Sequence, residues 1–283
     1  MHRTERIFIV TALLVVGLGL IWAIGRGAAG LGNSPFSLIV YPMGLALVLV
    51  AAAGATWVRR VVEPQGNLVL PEIRLPFVKI PLDIIVPSLL AAGFVVFLQL
   101  FESGSLQGVI VLAAGCAFAG VLWAQVFGRD ASSKYFAAAQ SALNIISHLT
   151  AFLLFSVIYG LKVRAIVSAS AVAVVTALLL FELLSRDASW HQAMKLPVEG
   201  RRTTLGLLAL AGGAVAGQLT WGLNYWAALP TLIGGAFLLL VFYVIHGIAV
   251  HYVDHKLTRQ VFVEFGTVGA IGMAVIFGSA FIQ

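Results

Sequence analysis

The chain has 283 residues, of which 61% are hydrophobic and 10% charged, with a formal net charge of +6 and a mean hydropathy of +1.04. Soluble globular domains carry roughly 25% charged residues. A soluble core of this length has no room for so much apolar surface, so a bilayer must be its solvent. The single cysteine, Cys116, excludes an intrachain disulfide and a thiolate metal cluster.

In chain order, apolar stretches long enough to cross about 30 Å of hydrocarbon fall near 7–24, 36–57, 82–101, 107–127, 137–161, 165–184, 204–222, 229–250 and 263–281. Each is predicted to be a helix, because backbone amides in lipid have no water to bond. The expected fold is an all-α polytopic bundle of about nine transmembrane helices, with 1–283 as a single transmembrane domain. The charges orient it. With the N-terminus inside, the cytoplasmic segments hold Arg3, Arg6, Arg59, Arg60, Arg74, Lys79, Arg129, Lys134, Arg186, Lys195, Arg201, Arg202, Lys256 and Arg259. Only Arg26, Lys162 and Arg164 of the 17 basic residues remain outside. That asymmetry follows the positive-inside rule and predicts a cytoplasmic N-terminus and an outer C-terminus in a bacterial or archaeal plasma membrane. No basic patch is interleaved with base-stacking aromatics, so nucleic acid is not an expected partner. Trp22, Trp57, Trp221 and Trp226 sit near helix ends, where indoles favour the interface.

The opening "MHRTERIFIVTALLVVGLGL" has the outline of a signal peptide. Its apolar stretch of about 18 residues is long for one, and "AIGRGAAG" offers no clear cleavage site, so the segment reads as a retained first helix. Pro42 and Pro87 fall within the first turns or so of the second and third spans, where proline costs least. The longest loops, 58–81 and 185–203, are both cytoplasmic by the charge count. In the first, Pro71, Pro76 and Pro81 each follow Leu or Ile. That spacing forbids a helix and favours extended backbone. The 68–87 segment is read as a stiff connector into the third span, with a docking strand for another membrane subunit as the alternative.

Gln140, Asn144 and His148 follow at i, i+4 and i+8 of the fifth span, one polar stripe at bilayer depth. Such a stripe is either packing glue or a path for protons or solute. If it is glue, His148→Gln should be tolerated, because an amide keeps one donor and one acceptor. Glu182 and Glu264 lie close to cytoplasmic helix ends. They are expected to pair with Arg186 or Arg259, or else to serve as an ion or proton site. Gly213 and Gly217 form a G-x-x-x-G pair in the seventh span and predict close helix packing there.

The eighth span ends in "HGIAVHYVDHK". His251 and His255 are four apart and are expected to share one helical face, and with Asp254 they make an H-x-x-D-H pattern, which resembles the H-x-x-E-H arrangement of zinc peptidases. No third ligand follows from the sequence, and the plainer reading is the polar end of a helix leaving the membrane. Haem would need His148 and His246 to face each other at matched depth, so neither haem nor a metal is predicted. The sequence has no Walker loop, no paired prenyl-diphosphate aspartates and no G-x-S-x-G elbow, which lowers the expectation of an enzyme. The leading expectation is a non-catalytic accessory, scaffold or lipid- or pigment-binding component of a membrane assembly. The alternative is a small transporter of an apolar or lipid-like solute, proton-coupled through His148. An intramembrane enzyme stands third.

Overall fold

A computed structural model describes residues 3–29, 37–59, 72–74, 79–101, 103–129, 133–191, 198–225 and 229–281. Among the described residues the helices are α1 (Arg3–Ala29), α2 (Ser37–Arg59), α3 (Ile85–Phe97), α4 (Gly104–Phe127), α5 (Phe136–Gly160), α6 (Ala165–His191), α7 (Val198–Asn224), α8 (Thr231–Val253) and α9 (Arg259–Phe281). Single 3-10 turns, Leu82–Ile84 and Leu98–Leu100, extend α3 at both ends. Among the described residues nine helices are long and apolar enough to cross a membrane, so the chain is a multi-pass helical membrane protein by the length and composition of its helices. The main departure from the expected spans lies at 185–203. There α6 runs on to His191 and α7 starts at Val198, so most of the predicted loop is helix. Charged residues end the apolar runs without ending the helices.

The chain falls into two compact units, Met1–Ile146 and Ser147–Gln283, with α5 contributing to both. In the first unit α1 packs on α2 and α4, and α2 packs on α3. Ile7, Val10, Leu14, Leu18 and Ile21 recur every three or four residues and are buried, while Phe8, Leu13, Val16 and Leu20 on the other faces are exposed. Apolar residues on both faces are what a lipid solvent permits. Polar groups fasten the helix ends. The Trp22 indole donates to the Gln107 side chain at 2.8 Å, and the Gln107 amide donates to the Phe101 carbonyl at 2.6 Å. Arg6 donates to the Trp57 carbonyl at 3.2 Å.

In the proline-rich segment, 68–71 and 75–78, with Pro71 and Pro76, lie outside the described residues. The parts between them are extended, as the proline spacing predicts, and they pair with each other. β1 (Glu72–Arg74) and β2 (Lys79–Pro81) form a small antiparallel ribbon with Ile73 opposite Ile80.

In the second unit the main interface joins α6 to α7. The buried face of α7 is made of small residues, with Gly212, Gly213, Ala216, Gly217 and Thr220 at helical spacing. Leu207, Leu210, Val215 and Leu219 lie exposed on its other side. A Cβ on Gly213 would sit 2.5 Å from the Ala173 carbonyl oxygen and 3.0 Å from the Ala177 methyl. One on Gly217 would lie 3.0 Å from both the Ala169 carbonyl and the Ala173 methyl. Ala169, Ala173 and Ala177 are therefore the flat counterface on α6, and the glycine pair is a backbone-contact surface as its spacing predicts. Asn224 locks the end of this interface by donating to Ser168 at 2.8 Å. α8 approaches α5 in the same manner, because side chains at Gly234 and Gly235 would collide with Tyr159 and Ser156. α9 lies against α8 and is mostly exposed.

Candidate functional site

The second unit gathers ionisable side chains from α5, α6 and α8. α6 brings Glu182 and Arg186 together one turn apart, where i,i+4 side chains meet on a helix. Arg186 Nε lies 2.8 Å from Glu182 Oε1, and both side chains are about 95% buried, at 6% and 4% exposure. The Arg186 guanidinium also donates to Ser147 Oγ at 3.2 Å, tying α6 to α5. The second carboxylate oxygen, Glu182 Oε2, is buried and has no hydrogen-bond partner.

On α5, the residue after Ser147 is His148, whose ring packs edge-on against three rings of α8. The centroid distances are 5.2 Å to Phe242, 6.1 Å to Tyr243 and 5.4 Å to His246. Phe242 and His246 are one turn apart on α8 and stack nearly parallel, at 12°. His246 is buried, and its Nε2 lies 3.6 Å from Asp187 Oδ2, the residue after Arg186 on α6. The cluster thus runs Asp187, His246, His148, with Glu182 and Arg186 beside it. Glu182 and Asp187 bring two carboxylates to it, and Arg186 one guanidinium.

The predicted polar stripe on α5 divides. Gln140 is half-buried and donates to the Gly128 carbonyl at 2.8 Å, closing the end of α4. Asn144 is exposed, and His148 is the member that enters the cluster. Of the two glutamates, Glu182 pairs with Arg186, while Glu264 is exposed on α9.

The H-x-x-D-H pattern does not form the helical face its zinc-peptidase reading needs. α8 ends at Val253, Asp254 caps it, and His255 adopts a left-handed conformation with φ 56°. His251 Nδ1 is engaged by the Gly247 carbonyl at 2.8 Å, and Asp254 lies 3.8 Å from Lys256. The helix thus terminates inside the motif and turns His255 away from His251. Among the described residues no group of three or more His, Cys, Asp or Glu side chains is arranged to hold a metal ion. His148 and His246 do face each other, but their rings touch directly, so a macrocycle would fit between them only if α5 and α8 parted.

Two parts of this picture escape a reading of the sequence. Asp187 stands in what hydropathy presents as a charged loop, and nothing local marks it as part of a site. Asp83 and Arg129, a buried ion pair of the first unit, look like a helix boundary and a topology charge. A lone aspartate inside "IPLDIIVP" is the available signal, since an unpaired charge there would be expensive.

A family described as a protein of unknown function (DUF5656) matches residues 28–278, which include every residue of the cluster. No curated protein and no solved structure matches the chain.

Proposed function

The chain belongs to the DUF5656 family, and we propose that it is a small proton-coupled carrier whose second unit holds the coupling site. The observation that supports this best is the contact of His148 with His246 and of His246 with Asp187, one residue along α6 from the buried Glu182–Arg186 pair, within helices able to span a bilayer. A buried polar atom without a partner costs about 1–3 kcal/mol. Glu182 Oε2 carries that cost, and a site that exchanges a proton or a solute donor is a reason to keep it. In this reading His148 takes up the proton and Glu182 Oε2 accepts a hydrogen bond from the solute. Arg186 holds the other carboxylate oxygen, and Phe242 and Tyr243 line the site for an apolar or lipid-like body. It is this cluster that favours a carrier over an accessory or scaffold component.

The charge asymmetry supports a plasma-membrane location with the N-terminus cytoplasmic and the C-terminus outside. The test of function is uptake by purified full-length protein in sealed vesicles, with a pH dye in the lumen and a panel of amphipathic solutes bearing a hydrogen-bond donor. Solute uptake should accelerate with an imposed proton gradient and collapse in Glu182→Gln. Uptake indifferent to both the gradient and the substitution would sink the proposal.

A further inference from the structure

We propose that Asp187 and His246 form the water-side entrance through which protons reach His148, an inference that rests on the carrier reading above. Counted along each helix, the three residues lie progressively farther from the helix end. Asp187 is four residues from the end of α6 at His191, about 6 Å at 1.5 Å per residue. His246 is seven residues from the end of α8 at Val253, about 10 Å. His148 is twelve residues from either end of α5, about 18 Å. α6 itself is 27 residues, about 40 Å, and exceeds the roughly 30 Å hydrocarbon layer, so its last turns reach the headgroup region. Exposure follows the same order between the first two. The Asp187 side chain is 44% exposed and that of His246 9%.

The contacts connect these steps. Asp187 Oδ2 lies 3.6 Å from His246 Nε2, and the His246 and His148 rings are in contact at 5.4 Å between centroids. Asp187 takes a proton from hydronium, leaving water, and its O–H bond breaks as the proton transfers to unprotonated His246 Nε2. The resulting imidazolium releases the proton from its other nitrogen, Nδ1, to an unprotonated nitrogen of the His148 ring. Rotation about χ2, a soft torsion in histidine, brings the ring nitrogens together, and a flip about the same torsion returns an unprotonated His246 nitrogen to Asp187. Asp187 is left as a carboxylate, ready for the next proton. Glu182 and Arg186 on α6, Ser147 on α5 and Tyr243 on α8 are among the groups beside this route. Arg186 pairs with Glu182, and Asp187 adds a second carboxylate at the water-side end of the route.

The experiment uses the full chain with 15N-labelled histidine in lipid nanodiscs and reads the rate at which the His148 ring N–H exchanges with bulk water. The six histidines are assigned by single substitutions. Asp187→Asn and His246→Gln should slow that exchange by roughly a hundredfold, the lower end of what a positioned acid–base group contributes. Asp187→Glu should restore it, and Glu264→Gln should leave it unchanged. An exchange rate unaltered by Asp187→Asn, or slowed equally by Glu264→Gln, would overturn the route. If His246→Gln fails to fold, the half-exposed Asp187 position still decides. The readout needs no solute, so it fails or succeeds separately from gradient-driven uptake.

Discussion

Among the described residues, each unit buries a carboxylate–guanidinium pair, Asp83–Arg129 and Glu182–Arg186, and the two pairs are built differently. In the first unit, Asp83 sits in the 3-10 turn that opens α3 and Arg129 lies just past the end of α4. Each thus stands at the helix end whose dipole favours its charge. Gln125 donates to the Asp83 carbonyl at 2.6 Å, and Gln140 closes the α4 terminus at Gly128. In the second unit, Glu182 and Arg186 sit one turn apart inside a single helix. There the pair has two imidazoles and a second carboxylate beside it, and one oxygen is left without a partner. The same two functional groups can serve to close a helix junction or to keep a site titratable. What separates the roles is whether neighbouring groups complete the pair or leave part of it open.

That contrast can be broken most directly by removing a charge from the first pair. Asp83→Ala strands Arg129 in the interior, and breaking a buried pair costs about 3–5 kcal/mol. Thermal unfolding in detergent should show this as a large fall in melting temperature, while Asp187→Asn, at a half-exposed site, barely moves it. Equal losses for the two would erase the distinction between closed and open pairs.

The α6–α7 packing that holds the second cluster is tested next. Gly213→Leu drives a side chain into the Ala173 carbonyl and should cost about 1–3 kcal/mol or more, the range of overpacking. A methyl group added at Gly206, on the same helix, would meet nothing within 4 Å. Gly206→Ala should therefore stabilise by about 0.5–1 kcal/mol, the helix-interior penalty of glycine. An unchanged melting profile for Gly213→Leu would place that face toward lipid.

The smallest effect belongs to the H-x-x-D-H motif at the end of α8. His251→Ala should change stability by less than about 1 kcal/mol, the worth of one ordinary hydrogen bond. Elemental analysis of native protein purified without chelator should find no stoichiometric zinc or iron. Metal that is lost on His251→Ala would restore the zinc-peptidase resemblance.

Much of the fold is legible because hydropathy acts within a segment. Nine apolar runs, the extended proline segment and the Gly213–Gly217 face all follow from local spacing, without knowledge of neighbours. The site is legible only in pieces. His148, Glu182 and His246 each stand out as polar groups in apolar runs, but their meeting depends on α5, α6 and α8 lying side by side. Asp187 is hidden because a helix continuing beyond the membrane looks like a loop in a hydropathy profile. Gln140 and Asn144 share the spacing of His148, yet the helix carries them past different surroundings. Spacing reports a common face and says nothing of what that face meets.

The central claim is that His148 works by carrying a proton, and His148→Gln tests it most directly. Glutamine keeps a donor and an acceptor but cannot cycle a proton near neutral pH, so the variant should melt within about 1 kcal/mol of the native protein. The measurement is gradient-driven solute uptake in sealed vesicles, with the amount of folded protein matched. The account predicts that uptake falls to the level of protein-free vesicles. Native uptake by folded His148→Gln would contradict it and return the α5 polar residues to the role of packing glue.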